Sequence, residues 1–272
     1  MISILRAELF RLKKSRTFWV IFIINAALTF LSALLLLAVE AIFSAIDQGS
    51  FLEMLGLTTS ATAMLSTFSS FSSDSAVLAL ICTAIFLSRE FTQGTMRNAI
   101  LANKSRQELF LSYYVVAMLI GTVYFVTEFL LSIALYGSLI GFGMQSASEV
   151  TTSIFIYFAL GLCSLLFVET CVIMFLFTTR KQSMTIVLPL LICLLAPSLI
   201  TSIIELIISA ASYAGNAPSY EALQCIPFYN MSTLNPMDPA GLNVGMVVLY
   251  DLIFAGGFFA AGFFTFMKAD LK

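Results

Sequence analysis

The chain has no histidine, and only 10% of its 272 residues are charged. Without histidine, the ligand sets of common zinc hydrolases and any Ser-His or Cys-His nucleophile pair are out of reach. No G-x-x-x-x-G-K-[ST] run occurs, so the chain does not cradle a nucleotide's phosphates by itself. Segments of about ten residues with alternating polarity, the mark of a membrane β-barrel, are missing too. The five cysteines, at 82, 163, 171, 193 and 225, are an odd number and imply no intrachain disulfide framework. Four of them lie in apolar runs, where a thiol behaves as a small hydrophobe.

What the sequence has in excess is apolar surface: 60% hydrophobic residues and a mean hydropathy of +1.01. A soluble domain, with about 25% charged residues, could not cover so much. Runs of about 20 apolar residues cross a hydrocarbon core of about 30 Å as helices. They predict an all-α, polytopic membrane bundle with spans at 18–39, 68–87, 114–139, 154–178, 185–208 and 244–267. The first run is too long for a removed signal peptide and lacks its cleavage site, so it reads as a retained span. Before it, Ile2, Leu5, Leu9 and Leu12 share a helical face opposite most of the basic residues, predicting an interfacial helix within 1–16. No internal repeat or linker separates a second domain.

Orientation follows from the basic residues, which are enriched in cytoplasmic segments. Six spans with the amino terminus inside put Arg6, Arg11, Lys13, Lys14 and Arg16, then Arg89, Arg97, Lys104 and Arg106, then Arg180 and Lys181, then Lys268 and Lys272 on one side. These are all 13 basic residues, while the outer segments carry Glu40, Asp47, Glu53, Glu149, Glu221 and Asp238. Both termini are therefore expected in the cytoplasm. Segment 88–112, the longest inside, reads as helix with a weak point at Gly94 and a stop at Asn103. Segment 209–243 holds Pro218, Pro227, Pro236 and Pro239, which rules out one continuous helix. Pro189 and Pro197 are expected to bend the fifth span.

Three carboxylates fall inside spans: Glu128, Glu169 and Asp251. A charge at the bilayer centre costs at least about 2.5 to 3.5 kcal/mol, so such a group faces a bundle interior or a wet cavity. No span carries a Lys, Arg or His to pair with them. Each is therefore protonated, hydrated or neutralised by something outside the chain, such as a cationic substrate; Asp251 is expected to reach toward the outer interface. The start of the second span is rich in hydroxyls, and Ser69 and Ser73 are candidates for the lining of an outward-opening cavity. The plainer alternative is a solvated helix start, since hydroxyls satisfy themselves on helix carbonyls. Gly137 and Gly141, and Gly256, Gly257, Ala260, Ala261 and Gly262, predict close helix contacts.

The segment R-E-F-T-Q-G-T-M-R-N at 89–98, followed by Ser105 and Arg106, resembles the permease subunits of type 2 ATP-binding-cassette transporters. The basic start R-A-E-L-F-R-L-K-K-S-R and the order of spans are similar as well. The resemblance implies a cytoplasmic coupling region at 88–112 that docks into an ATPase subunit, with Glu90, Gly94, Arg97, Asn98 and Arg106 in it. It also implies two ATPase subunits that hold the ATP and Mg, a second permease chain of the same or a related kind, and no cofactor or catalysis in this chain. The flavour of the motif is similar to bacterial permeases for immunity against lantibiotics and bacitracin, and to multidrug exporters. The expected function is thus export of a peptide, drug or other amphipathic substrate from a bacterial cytoplasmic membrane, without nucleic acid as a partner. The alternatives are a polysaccharide or lipid-linked exporter permease and a proton-coupled secondary carrier.

Overall fold

The computed structural model describes residues 2–45, 60–93, 105–139, 147–195, 199–200, 202–203, 206–207 and 244–268. The described residues are almost all helical, with no strand among them. In chain order these are α1 (Ile2–Lys14), α2 (Arg16–Ala45), α3 (Ser60–Thr92), α4 (Arg106–Leu139), α5 (Ala147–Thr179), α6 (Gln182–Leu190) with a π-helical turn (Leu191–Leu195), and α7 (Val244–Lys268). Within them, Arg16–Ile42, Arg106–Leu135, Ile154–Thr179 and Val244–Lys268 are long and apolar enough to cross a membrane. Segment 209–243 and the middle of 88–112 lie outside the described residues.

The helices overrun the apolar runs that mark them. α3 continues past Leu87 to Thr92, and α4 begins at Arg106, before the run that opens at Tyr114. The parts of 88–112 that are described are thus extensions of two long helices. A helix bonds its own backbone, so it need not stop where the apolar run does. α1 and α2 meet at Ser15, whose Oγ accepts a hydrogen bond from Phe18 N at 3.4 Å. This is an N-cap arrangement that satisfies one of the free donors of a helix start. α6 contains Pro189, which has no N–H to donate, and the backbone widens into the π-helical turn two residues later. The irregularity falls where a bend was expected, and Pro197 lies outside the described residues.

α5 is the central helix: it packs on α7, α3, α4 and α6, while α3 packs mainly on α4, and α2 lies against both. At the end of the bundle where α1 sits, Phe110, Phe177 and Phe266 are fully buried. The rings of Phe110 and Phe177 are 5.0 Å apart, and those of Phe177 and Phe266 are 4.4 Å apart, which ties α4, α5 and α7 together. Close approach elsewhere depends on glycine. A Cβ on Gly161 would lie 2.3 Å from the Phe125 ring, and one on Gly262 would lie 3.1 Å from Met174 Cα. Gly262 therefore makes the close contact its neighbourhood predicts. Gly256 and Gly257 do not, because their Cβ positions face open space. The outer face of α2, with Trp19, Val20, Ile23, Ile24, Leu28 and Leu31, is exposed and apolar.

Candidate functional site

The polar groups fall into two sets, the first at the junction of α1 with α3 and α4. In α1, Leu12 is buried and Leu5 and Leu9 are half-buried, so the predicted apolar stripe faces the bundle. The same turn buries Glu8. Arg11 reaches Glu8 at 3.2 Å and is ion-paired with Glu90 from the end of α3, which is itself 2% exposed. One guanidinium thus serves two carboxylates. Burial, reinforced by repulsion from Glu90 and only partly offset by Arg11, pushes Glu8 up to about 7. Around this cluster Arg89 donates to Thr17 Oγ1 at 2.9 Å, and the Trp19 indole donates to the Lys13 carbonyl at 2.9 Å. Arg106 donates to the Met267 carbonyl at 2.9 Å, a cation on the last carbonyls of α7.

The second set lies between the long helices. Glu169 on α5 is fully buried and accepts a hydrogen bond from Thr83 of α3 at 3.2 Å. Gly121 of α4 makes room for it: a Cβ there would lie 3.0 Å from Glu169 Oε1. Asp251 on α7 is also fully buried and accepts from Ser164 of α5 at 3.2 Å. Its expected reach toward the outer interface is not what the packing gives, because Ser164 turns it inward. Glu128 is buried on α4. Among the described residues Glu169 Oε2 and Asp251 Oδ1 have no hydrogen-bond partner. Two intramembrane acceptors are therefore open to a proton or to a donor from outside the chain. Further along, Tyr124 OH donates to the Phe18 carbonyl at 2.8 Å, and Asn25 Nδ2 to the Tyr124 carbonyl at 3.3 Å, pinning α2 to α4.

A family model for ABC-2 family transporter proteins matches residues 4–196, which takes in α1 to α6 and the π-helical turn. The chain belongs to the ABC-2 transporter family. No curated protein matches it. An ABC-2 chain of this kind is the membrane component of a transporter whose ATP is handled by ABC ATPase partners.

Within this ABC-2 chain the expected coupling residues are not alike. Glu90 faces α1 and is held by Arg11, and Arg106 is held by the end of α7. Gly94, Arg97 and Asn98 lie outside the described residues. Glu169 and Asp251 sit on different helix pairs, α3–α5 and α5–α7. Ser69 and Ser73 are in α3, but their side chains are outside what is described. Sequence reasoning missed Glu8, Thr83, Ser164 and Asn25. Asn25 carried a signal, a lone amide within a long apolar run; the hydroxyls carried none, since spans tolerate them widely.

Proposed function

We infer that this ABC-2 permease has six spans with both termini in the cytoplasm of a bacterium, and that it exports an amphipathic peptide or drug. In this reading two permease chains, identical or related, work with two ATPase subunits, and ATP binding and hydrolysis drive the permeases between conformations. The observation that carries it is the family match over 4–196. The placement of all 13 basic residues on one side supports the orientation. Gly94, Arg97 and Asn98 are assigned to the docking surface for the ATPase. Glu90 and Arg106 are assigned to holding that segment on α1 and α7. Glu128, Glu169 and Asp251, with Ser69 and Ser73, are assigned to the substrate path, where buried carboxylates suit a cationic substrate. The test is ATP hydrolysis by the purified permease–ATPase complex across cationic peptides, drugs and lipid-linked sugars. Stimulation by cationic peptides or drugs supports the assignment, and stimulation by lipid-linked sugars alone replaces it.

A second reading, a proton-coupled carrier, draws on the same open oxygens of Glu169 and Asp251. It differs in its energy source, and transport that follows a proton gradient without ATP would establish it.

A further inference from the structure

Where α3, α5, α7 and the π-helical turn meet, Leu80, Phe167, Val168 and Val172 pack around two thiols. Cys171 of α5 is fully buried, and Cys193 of the π-helical turn is 4% exposed. Neither is in a disulfide, and the two thiols share a hydrogen bond. Leu191 and Leu195, on either side of Cys193, are exposed, so the turn presents its sulfur to the bundle and its leucines to the surroundings. π-helical turns are rare and recur at functional sites.

A single thiol in such surroundings behaves as a small hydrophobe. Two that touch across different elements are also a ready chelate for a soft cation, because thiolate sulfur is the ligand such ions select. The neighbourhood decides which ion. Among the described residues no three His, Cys, Asp or Glu side chains converge, so a tetrahedral set for zinc is not assembled there. An ion that accepts two ligands in line is needed instead. With metal–sulfur bonds of about 2.3 Å, two thiols in contact have to part only slightly to admit it. Two thiolates around a monovalent ion would leave a net negative charge in hydrocarbon, close enough to Glu169 for the two to interact. Around a divalent ion they leave none.

We propose that Cys171 and Cys193 form a site for a soft, two-coordinate divalent cation of the mercury(II) type, held in line between their sulfurs. When mercury(II) chloride binds, both mercury–chlorine bonds and both S–H bonds break and two mercury–sulfur bonds form. Two protons leave with two chlorides, and no electron changes hands. Mercury(II) chloride is itself neutral and enters apolar media, which gives it a route to thiols at this depth. The bound ion would clamp the π-helical turn to α5. This site is independent of what the permease transports.

The test uses full-length protein carrying Cys82→Ala, Cys163→Ala and Cys225→Ala, so that only the pair remains. Reduced and then freed of reductant, it is titrated with mercury(II) chloride in mild detergent while sulfur-to-mercury charge transfer is followed in the ultraviolet. The expected result is one ion per chain, retained when a millimolar monothiol is added. Cys171→Ala or Cys193→Ala, added to that protein, should weaken retention about a hundredfold or more, because the second bond is no longer intramolecular. Two ions per chain would mean thiols that act singly and would overturn the proposal. So would no uptake, or equal retention by the pair and by either single-cysteine variant. Unchanged melting followed by Trp19, the only tryptophan, shows that the variants are folded. The stoichiometry of the two-cysteine protein decides the matter even where a further variant fails to fold.

Discussion

Arg11 of α1 is ion-paired with the buried Glu90 at the far end of α3, while a second carboxylate, Glu8, shares the same guanidinium. α1 is thereby fastened to the helix that leads into segment 94–104, and movement of either is felt by the other. Arg11→Gln leaves two buried carboxylates without their cation. Breaking a fully buried pair costs about 3 to 5 kcal/mol. Because the Arg11 side chain is 38% exposed, water compensates part of this, and about 1 to 3 kcal/mol is expected. The measurement is thermal melting in detergent followed by Trp19 emission; melting equal to that of the unaltered protein would contradict the clasp.

The same cluster makes docking of α1 sensitive to pH. Glu8 titrates near 4.5 when unfolded and near 7 in place, so the folded state holds its proton more tightly. Its contribution is fully present below pH 4.5, declines as pH rises through that window, and is lost above about 7. Melting temperature should therefore fall between pH 4.5 and about 7 in the unaltered protein, and this decline should flatten in Glu8→Gln. An unchanged slope in Glu8→Gln would assign the dependence to another group.

Glycine at 262 is expected to be irreplaceable where glycine at 257 is not. A Cβ at 262 meets the backbone of Met174 at 3.1 Å, which cannot swing aside as a side chain could, whereas a Cβ at 257 meets nothing within 4 Å. Gly262→Ala should destabilise the α5–α7 contact by about 1 to 3 kcal/mol, the usual cost of overpacking. Gly257→Ala should melt with the unaltered protein. Equal melting of the two variants would show that α7 does not pack as described.

The buried carboxylates give a functional prediction. Replacing both Glu128 and Glu169 by Gln keeps the volume and the hydrogen-bonding capacity but removes the ionisable group, so co-purification of the ATPase should survive while transport is lost. Resistance or transport assays on cells carrying the double variant read this directly, and unchanged transport would remove these residues from the substrate path.

How far all this was legible in the sequence depends on the range of the interaction. Helices were legible because long apolar runs and the amphipathic stripe of Leu5, Leu9 and Leu12 are local patterns. Their ends were less so: Arg106 and Thr92 are polar, yet both are helical, since helix continuation is decided by backbone bonding and by packing at the junction. Glu169 and Asp251 stood out as charges in apolar runs, but Thr83 and Ser164 did not, being hydroxyls of no unusual context. Arg11 looked like one more orienting charge and Glu90 like a docking group. Their pairing joins residues far apart in sequence, and no local pattern announces it.

The central claim is that this ABC-2 chain is driven by a separate ATPase. Its most direct test is to purify the full chain under mild detergent from its native membrane and measure, in the same preparation, which proteins accompany it and whether ATP is hydrolysed. The account predicts a co-purifying ABC ATPase and hydrolysis that disappears when that subunit is removed. A chain isolated without such a partner, whose transport in vesicles follows an imposed proton gradient in the absence of ATP, would contradict it.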